Sequence, residues 1–184
     1  MEPSGMADGM TTVRVRKRCR REGDEGAALV EFALLFPVFI MLVTGMFSGG
    51  VLYNQKSNMH TATREAARYG ATLPLNALGT IDDWLHGIAV YAEQTSEGAL
   101  APSVPGRDIC VAYVGPDQIK SEHHLVGSGF SVSATPCFAD GRPSSETRVQ
   151  VMTTRSSKLQ AALFTYNLPA MSTKAVTRFE ASTP

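Results

Sequence analysis

The sequence predicts an α+β protein: a long N-terminal transmembrane helix continuing as a stem, followed by a small external domain with a helix and an antiparallel sheet. Three observations carry this prediction. Residues 27–47 are almost wholly apolar and follow a basic cluster, and residues 80–97 set apolar side chains at helical spacing. From Arg107 onward, short runs rich in β-formers show partial two-residue alternation. At 184 residues and 43% hydrophobic composition, the chain has room for one membrane helix and one modest domain. The expected divisions are a cytoplasmic leader over 1–26, a span over 27–47, a helical stem over 48–70 and an extracytoplasmic domain over 71–184.

The span comes first. From Ala27 to Phe47 the single ionisable side chain is Glu31. A helix rises about 1.5 Å per residue, so roughly 20 such residues match the ~30 Å hydrocarbon core of a bilayer. Arg14, Arg16, Lys17, Arg18, Arg20 and Arg21 stand just upstream, and no comparable cluster follows Phe47. The positive-inside rule therefore places the N-terminus in the cytoplasm and Ser48 onward outside. A cleaved secretory signal fits poorly, because the run exceeds the usual apolar length of roughly 7–15 residues and Ser48-Gly49-Gly50 is a weak cleavage site. Pro37 is expected to kink the helix, and Gly45 with Gly49 forms a small-xxx-small pair able to admit a second helix. Residues 1–13 lack periodicity and are expected to be disordered.

Glu31 is the anomaly within this element. A carboxylate at a membrane-helix centre costs at least ~2.5 kcal/mol on insertion scales, which makes it a functional candidate. The plainer reading is a signal-anchor whose Glu lies near its end and snorkels toward the interface.

Gly26-Ala27-Ala28-Leu29-Val30-Glu31-Phe32 resembles the processing site of type IV pilins and pseudopilins. Together with Thr63-Arg64-Glu65-Ala66-Ala67-Arg68-Tyr69-Gly70, it resembles the TadE-like family of tight-adherence (Flp-type) pilus systems. Ala27 stands where type IV pilins commonly have Phe, and Phe32 where many Flp-type pilins have Tyr. The resemblance implies cleavage after Gly26 by a prepilin peptidase, with Glu31 at the fifth mature position. It also implies the major Flp-type pilin, other pilus subunits, a secretion ATPase and an inner-membrane assembly platform as partners. Cleavage would create an α-amino group on Ala27, and a Glu31 carboxylate facing the amine of a neighbouring subunit would set register.

Beyond the span, residues 51–69 continue as a helix, with Leu52, Lys56, Met59, Thr63, Ala66 and Ala67 at three- and four-residue steps. Arg64 and Arg68 suit a helix C-terminus, Gly70 supplies its stop, and Pro74 follows. Ala62, Ala66 and Ala67 favour close helix contact. In the second helix Thr80 is the expected cap, and Asp82 and Asp83 occupy the first turn. Trp84, Leu85, Ile88, Tyr91 and Ala92 form its apolar face, and Gly98 with residues 102–105 closes it. Strands are expected over 108–114, 130–134, 146–154 and 171–179. Residues 159–166 read equally as short helix or strand, ended by Pro169.

The three cysteines divide by compartment. Cys19 lies in the leader, while Cys110 and Cys137 lie outside, where disulfides persist. Pairing Cys110 with Cys137 is the expectation; an intermolecular bond or free thiols are the alternatives. No metal site is expected, because His123 and His124 read as loop residues and neither external cysteine belongs to a CxxC pair. There is no GxSxG, HExxH or phosphate-binding loop, so neither an enzyme nor a cofactor or small-molecule substrate is expected. Asp140-Gly141 reads as a turn. Net formal charge is zero, which supplies no electrostatic case for nucleic-acid binding. A pilus subunit and an uncleaved, membrane-anchored binding module remain as the two function classes.

Overall fold

The structure is a computed structural model and describes residues 24–127, 129–143, 145–161 and 164–180. The basic cluster at 14–21, Cys19 and the segment 1–13 lie outside the described residues. The chain packs as two units, with the boundary between Phe39 and Ile40.

The first helix, α1 (Asp24–Thr72), is continuous for 49 residues, and Pro37 lies inside it without ending it. Gly70 does not stop it. The helix runs two residues further, Thr72 Oγ1 donates back to the Tyr69 carbonyl at 3.1 Å, and no basic residue occupies the last turn. Gly70 is instead a contact point. A Cβ there would stand 2.6 Å from Ile88 Cδ1 and 3.2 Å from Val149 Cγ1. Its lack of a side chain lets helix and core approach, a different use of glycine from the left-handed cap.

The second helix, α2 (Ile81–Thr95), begins at Thr80 as expected. Thr80 Oγ1 accepts from the Asp83 amide at 3.2 Å, and the Thr80 amide donates to Asp83 Oδ2 at 3.0 Å. This reciprocal box satisfies two otherwise unpaired helix-start groups. The Thr80 hydroxyl, which also donates to Asp83 Oδ2 at 2.7 Å, and the Thr80 amide hold the Asp83 carboxyl below its ordinary value. Trp84, Leu85, Ile88, Ala89 and Ala92 are its buried face. Tyr91, expected on that face, is half-buried and stacks on Tyr69 with ring centroids 4.6 Å apart.

Five antiparallel strands follow: β1 (Asp108–Val114), β2 (Ile119–His124), β3 (Phe130–Ser133), β4 (Arg148–Ala161) and β5 (Phe164–Arg178). They order as β3-β2-β1-β4-β5. The ambiguous stretch 159–166 forms the far end of the β4–β5 hairpin, with Leu159 opposite Tyr166. Pro169 does not end a segment; it sits within β5. The register shifts between Arg155 and Ser157, and β5 is an edge strand, so Pro169 removes no ladder bond there. Strand β2 was not expected at all.

Opposed residues share a sheet face. Ile109 and Val111 of β1 lie level with Thr153 and Val151 of β4, and with His124 and Glu122 of β2. That face meets both helices. Its centre is apolar, with Ile109, Val111, Val149 and Val151 packed on Trp84, Leu85, Ile88 and the small residues Ala66, Ala67 and Ala71 of α1. Trp84 donates its indole N–H to the Leu73 carbonyl at 3.1 Å, so its burial leaves no unpaired donor. One polar knot lies within the core. The hydroxyls of Thr63, Thr153 and Thr173 stand 2.6 to 2.8 Å from one another, and Thr63 also donates to the Met59 carbonyl.

The opposite sheet face carries Cys110, Arg148 and Gln150. Asp140 accepts from Arg148 Nε at 2.7 Å and Nη2 at 3.1 Å, and from Gln150 Nε2 at 2.9 Å. Asp140 also receives the Arg142 amide at 3.1 Å, the turn expected at Asp140-Gly141, and Gly141 is left-handed at φ 70°. Thus the same aspartate closes a turn and anchors a buried ion pair.

Candidate functional site

Gly26, Ala27 and Glu31 lie near the start of α1. Every side chain from Ala27 to Phe39 is exposed, with Leu29, Leu34 and Leu35 each about 70% accessible. Apolar groups therefore cover all sides of the helix rather than one stripe. A helix of that kind needs an apolar surrounding, either bilayer or neighbouring helices. It is long and apolar enough to cross a membrane. Glu31 interrupts this surface, and among the described residues it has no hydrogen-bond or ion-pair partner. A Cβ at Gly26, Gly45 or Gly49 would meet nothing within 4 Å, and Phe47 is 74% exposed.

A groove of about 350 Å³ lies farther along, where α1 passes β4, with Phe47, Val51 and Leu52 on one side and Arg155 and Lys158 on the other. Arg155 donates from Nη1 to the Ala99 carbonyl at 2.8 Å, and burial lowers its pKa.

Cys110 and Cys137 form a disulfide closing a sequence separation of 27. It ties β1 to the segment that carries Asp140.

Sequence reasoning placed His123 and His124 in a loop. The structure places both in β2, on opposite faces. His123 faces the disulfide side, with Nδ1 3.2 Å from Asp108 Oδ1. His124 faces the helices beside Glu122, and His86 of α2 reaches across to the same carboxylate. Glu122 Oε1 lies 3.0 Å from His86 Nδ1 and 2.5 Å from His124 Nε2. Glu122 and His124 side chains are 2% and 9% exposed, whereas His86 is 51% exposed. Burial pushes the Glu122 carboxyl up, but the hydrogen bonds from His124 and His86 outweigh it and leave the group below its ordinary value. The potential ligand atoms of His86, Glu122 and His124 all lie within 4.8 Å of one another. The signal that could have found this cluster is the alternation Lys120, Glu122, His124. It has the two-residue period of a strand but carries ionisable groups where apolar ones are the usual cue.

Residues 26–68 match the TadE-like protein family model. No curated protein and no solved structure matches the chain. The TadE-like segment contains Gly26, Ala27 and Glu31, runs through the exposed apolar helix and ends two residues before the Gly70 contact. The TadE-like match over residues 26–68, to a family that is not one of enzymes, and a helix long and apolar enough to cross a membrane fit a membrane protein associated with a Tad pilus.

Proposed function

We propose that the chain is a pseudopilin or minor pilin of a tight-adherence (Flp-type) pilus, supporting pilus biogenesis and surface attachment. It is anchored in the bacterial cytoplasmic membrane with a cytoplasmic leader over 1–26 and a span over 27–47. The stem over 48–70 and the α+β domain over 71–184 are extracytoplasmic. Its partners are a prepilin peptidase, other pilus subunits and the inner-membrane assembly platform. It works by assembly, without a cofactor, a small-molecule substrate or nucleic acid.

The observation that carries this reading is Glu31, five residues beyond Gly26, alone among apolar side chains on an unburied helix within the TadE-like match. Cleavage after Gly26 supplies a new cationic group on Ala27. In a bundle of such helices the Glu31 carboxylate of one subunit faces the Ala27 amine of another. Removing one member of a buried pair costs about 3–5 kcal/mol because the other is left uncompensated, so register is strongly specified.

The test is the intact mass and N-terminus of the protein from native membranes, beside a Gly26→Val variant. A Cβ at Gly26 meets nothing within 4 Å, so this change alters the peptidase site without a packing clash. A wild-type start at Ala27, absent in the variant, is the expected result. A start at Met1 or Glu2 in both proteins would overturn processing and leave an uncleaved, signal-anchored envelope binding module.

A further inference from the structure

We infer that His86, Glu122 and His124 form a zinc(II) site that ties α2 to the sheet, independently of any role in a pilus. The donor set is two imidazoles and one carboxylate, which is also the chemistry of three-ligand zinc centres that keep a fourth position for water. Its placement follows from the fold. Glu122 and His124 are two residues apart on β2 and so share the face toward the helices, and α2 crosses that face at His86.

Three features favour an ion over a purely hydrogen-bonded triad. Glu122 is almost fully buried, yet among the described residues its Oε1 receives both imidazoles and its Oε2 receives neither. The carboxylate thus keeps acceptor capacity for an ion beside its two imidazole contacts. The two histidines present single nitrogens to one point, and their rings stand 4.7 Å apart, centroid to centroid. Ligand atoms around tetrahedral zinc, at bonds of about 2.0–2.1 Å, stand roughly 3.3 Å apart. The two histidine nitrogens stand 3.0 and 2.5 Å from Glu122 Oε1, so each of these spacings needs to widen by less than about 1 Å, and all three ligand atoms already lie within 4.8 Å of one another. His86, half-exposed, has the freedom to do so and leaves the fourth position open to solvent. Phe130, paired with His124 across β2 and β3, lies with its ring 5.9 Å from that of His86 and shields one side. The neighbouring Asp82 carboxylate is paired with Lys120, whose Nζ donates to Oδ2 at 2.7 Å.

Each imidazole would ligate through the nitrogen that now contacts Glu122 and carry its N–H on the other ring nitrogen. The ion would replace two hydrogen bonds with three bonds that join residue 86 to residues 122 and 124, closing a long loop that contains β1.

The experiment uses the full chain in detergent, free of any polyhistidine tag and stripped with chelator, titrated with zinc(II) and in parallel with cobalt(II). The chain has four histidines, so His60 and His123 serve as controls. Expected results are one zinc per chain, a four-coordinate cobalt visible spectrum and a thermal midpoint that rises with zinc. His86→Ala should weaken binding at least tenfold and remove the midpoint rise, and His124→Ala should abolish stoichiometric binding. His60→Ala and His123→Ala should behave as wild type. His86 is half-exposed, so its variant keeps the fold and remains a fair test even if His124→Ala unfolds. Binding below one zinc per chain, or binding retained by His86→Ala and lost in a control, overturns the site.

Discussion

Single residues show where this fold accepts charge in its interior. Asp140 and Arg148 are both nearly buried, at 7% and 6% side-chain exposure, and meet through two nitrogen–oxygen contacts. Gln150 and the Arg142 amide complete the shell of the carboxylate. Burial alone would raise its pKa, but the hydrogen bonds from Gln150, Arg142 and Arg148 and the Arg148 charge bring it below its ordinary value. An Asp140→Ala change strips a buried guanidinium of its partner and should cost about 3–5 kcal/mol in denaturant unfolding of the detergent-solubilised chain. The pH dependence has a definite sign. A carboxyl with a depressed folded pKa contributes fully above its unfolded value of about 3.9, and that contribution is lost as pH falls through the folded value. The gap between wild type and variant should therefore be flat from neutrality to about pH 5 and shrink below about pH 4. A gap that persists undiminished at pH 2 would mean that packing, not charge, is what Asp140 supplies.

Elements show two uses of glycine along one helix. Gly70 lies where α1 meets Ile88 and Val149, with no room for a β-branched side chain. Gly70→Val should lower stability by about 1–3 kcal/mol through overpacking. Gly45→Val and Gly49→Val add bulk into open space and should leave the thermal midpoint of the isolated chain unchanged. Their effect should appear only in assembly, because a small-residue stripe matters when a second helix lies on it. Equal losses at Gly70 and Gly49 would remove the distinction.

The same helix marks how far the sequence could be read. Its apolar run, the Thr80 cap, the α2 face and β1 were legible because period and composition agreed in each. The stop at Gly70 was misread, since a packing glycine and a capping glycine look alike without the partner element. Strand β2 was invisible because Lys120, Glu122 and His124 occupy its helix-facing positions and find partners on α2 rather than an apolar core. The His86–Glu122–His124 cluster was hidden for the same reason. Its members are 36 residues apart along the chain and meet only once α2 lies across the sheet. Gly26, Ala27 and Glu31 were picked out by their resemblance to pilin processing sites, and the role proposed for them concerns a chain end and a neighbouring molecule rather than this fold.

At the scale of the whole molecule, the cysteines report topology and processing together. The chain has three, of which Cys110 and Cys137 are bonded to each other in the α+β domain. Cys19 precedes Gly26 and leaves with the leader if cleavage occurs. A mature protein taken from oxidised native membranes should then give no adduct with a heavy maleimide under denaturing conditions, and two after reduction. The Gly26→Val protein should give one before reduction and three after. In the chain-entropy account, closing a loop of this length contributes roughly 3–4 kcal/mol, so the reduced protein should also unfold at lower denaturant. An orientation with the domain in the cytoplasm predicts the opposite pattern: reducing conditions there keep Cys110 and Cys137 as thiols, and both would be labelled from the outset. Two adducts before reduction in the processed form would therefore reverse the topology. One adduct in the wild type, rising to three, would retain the external domain but remove the cleavage that gives Glu31 its partner.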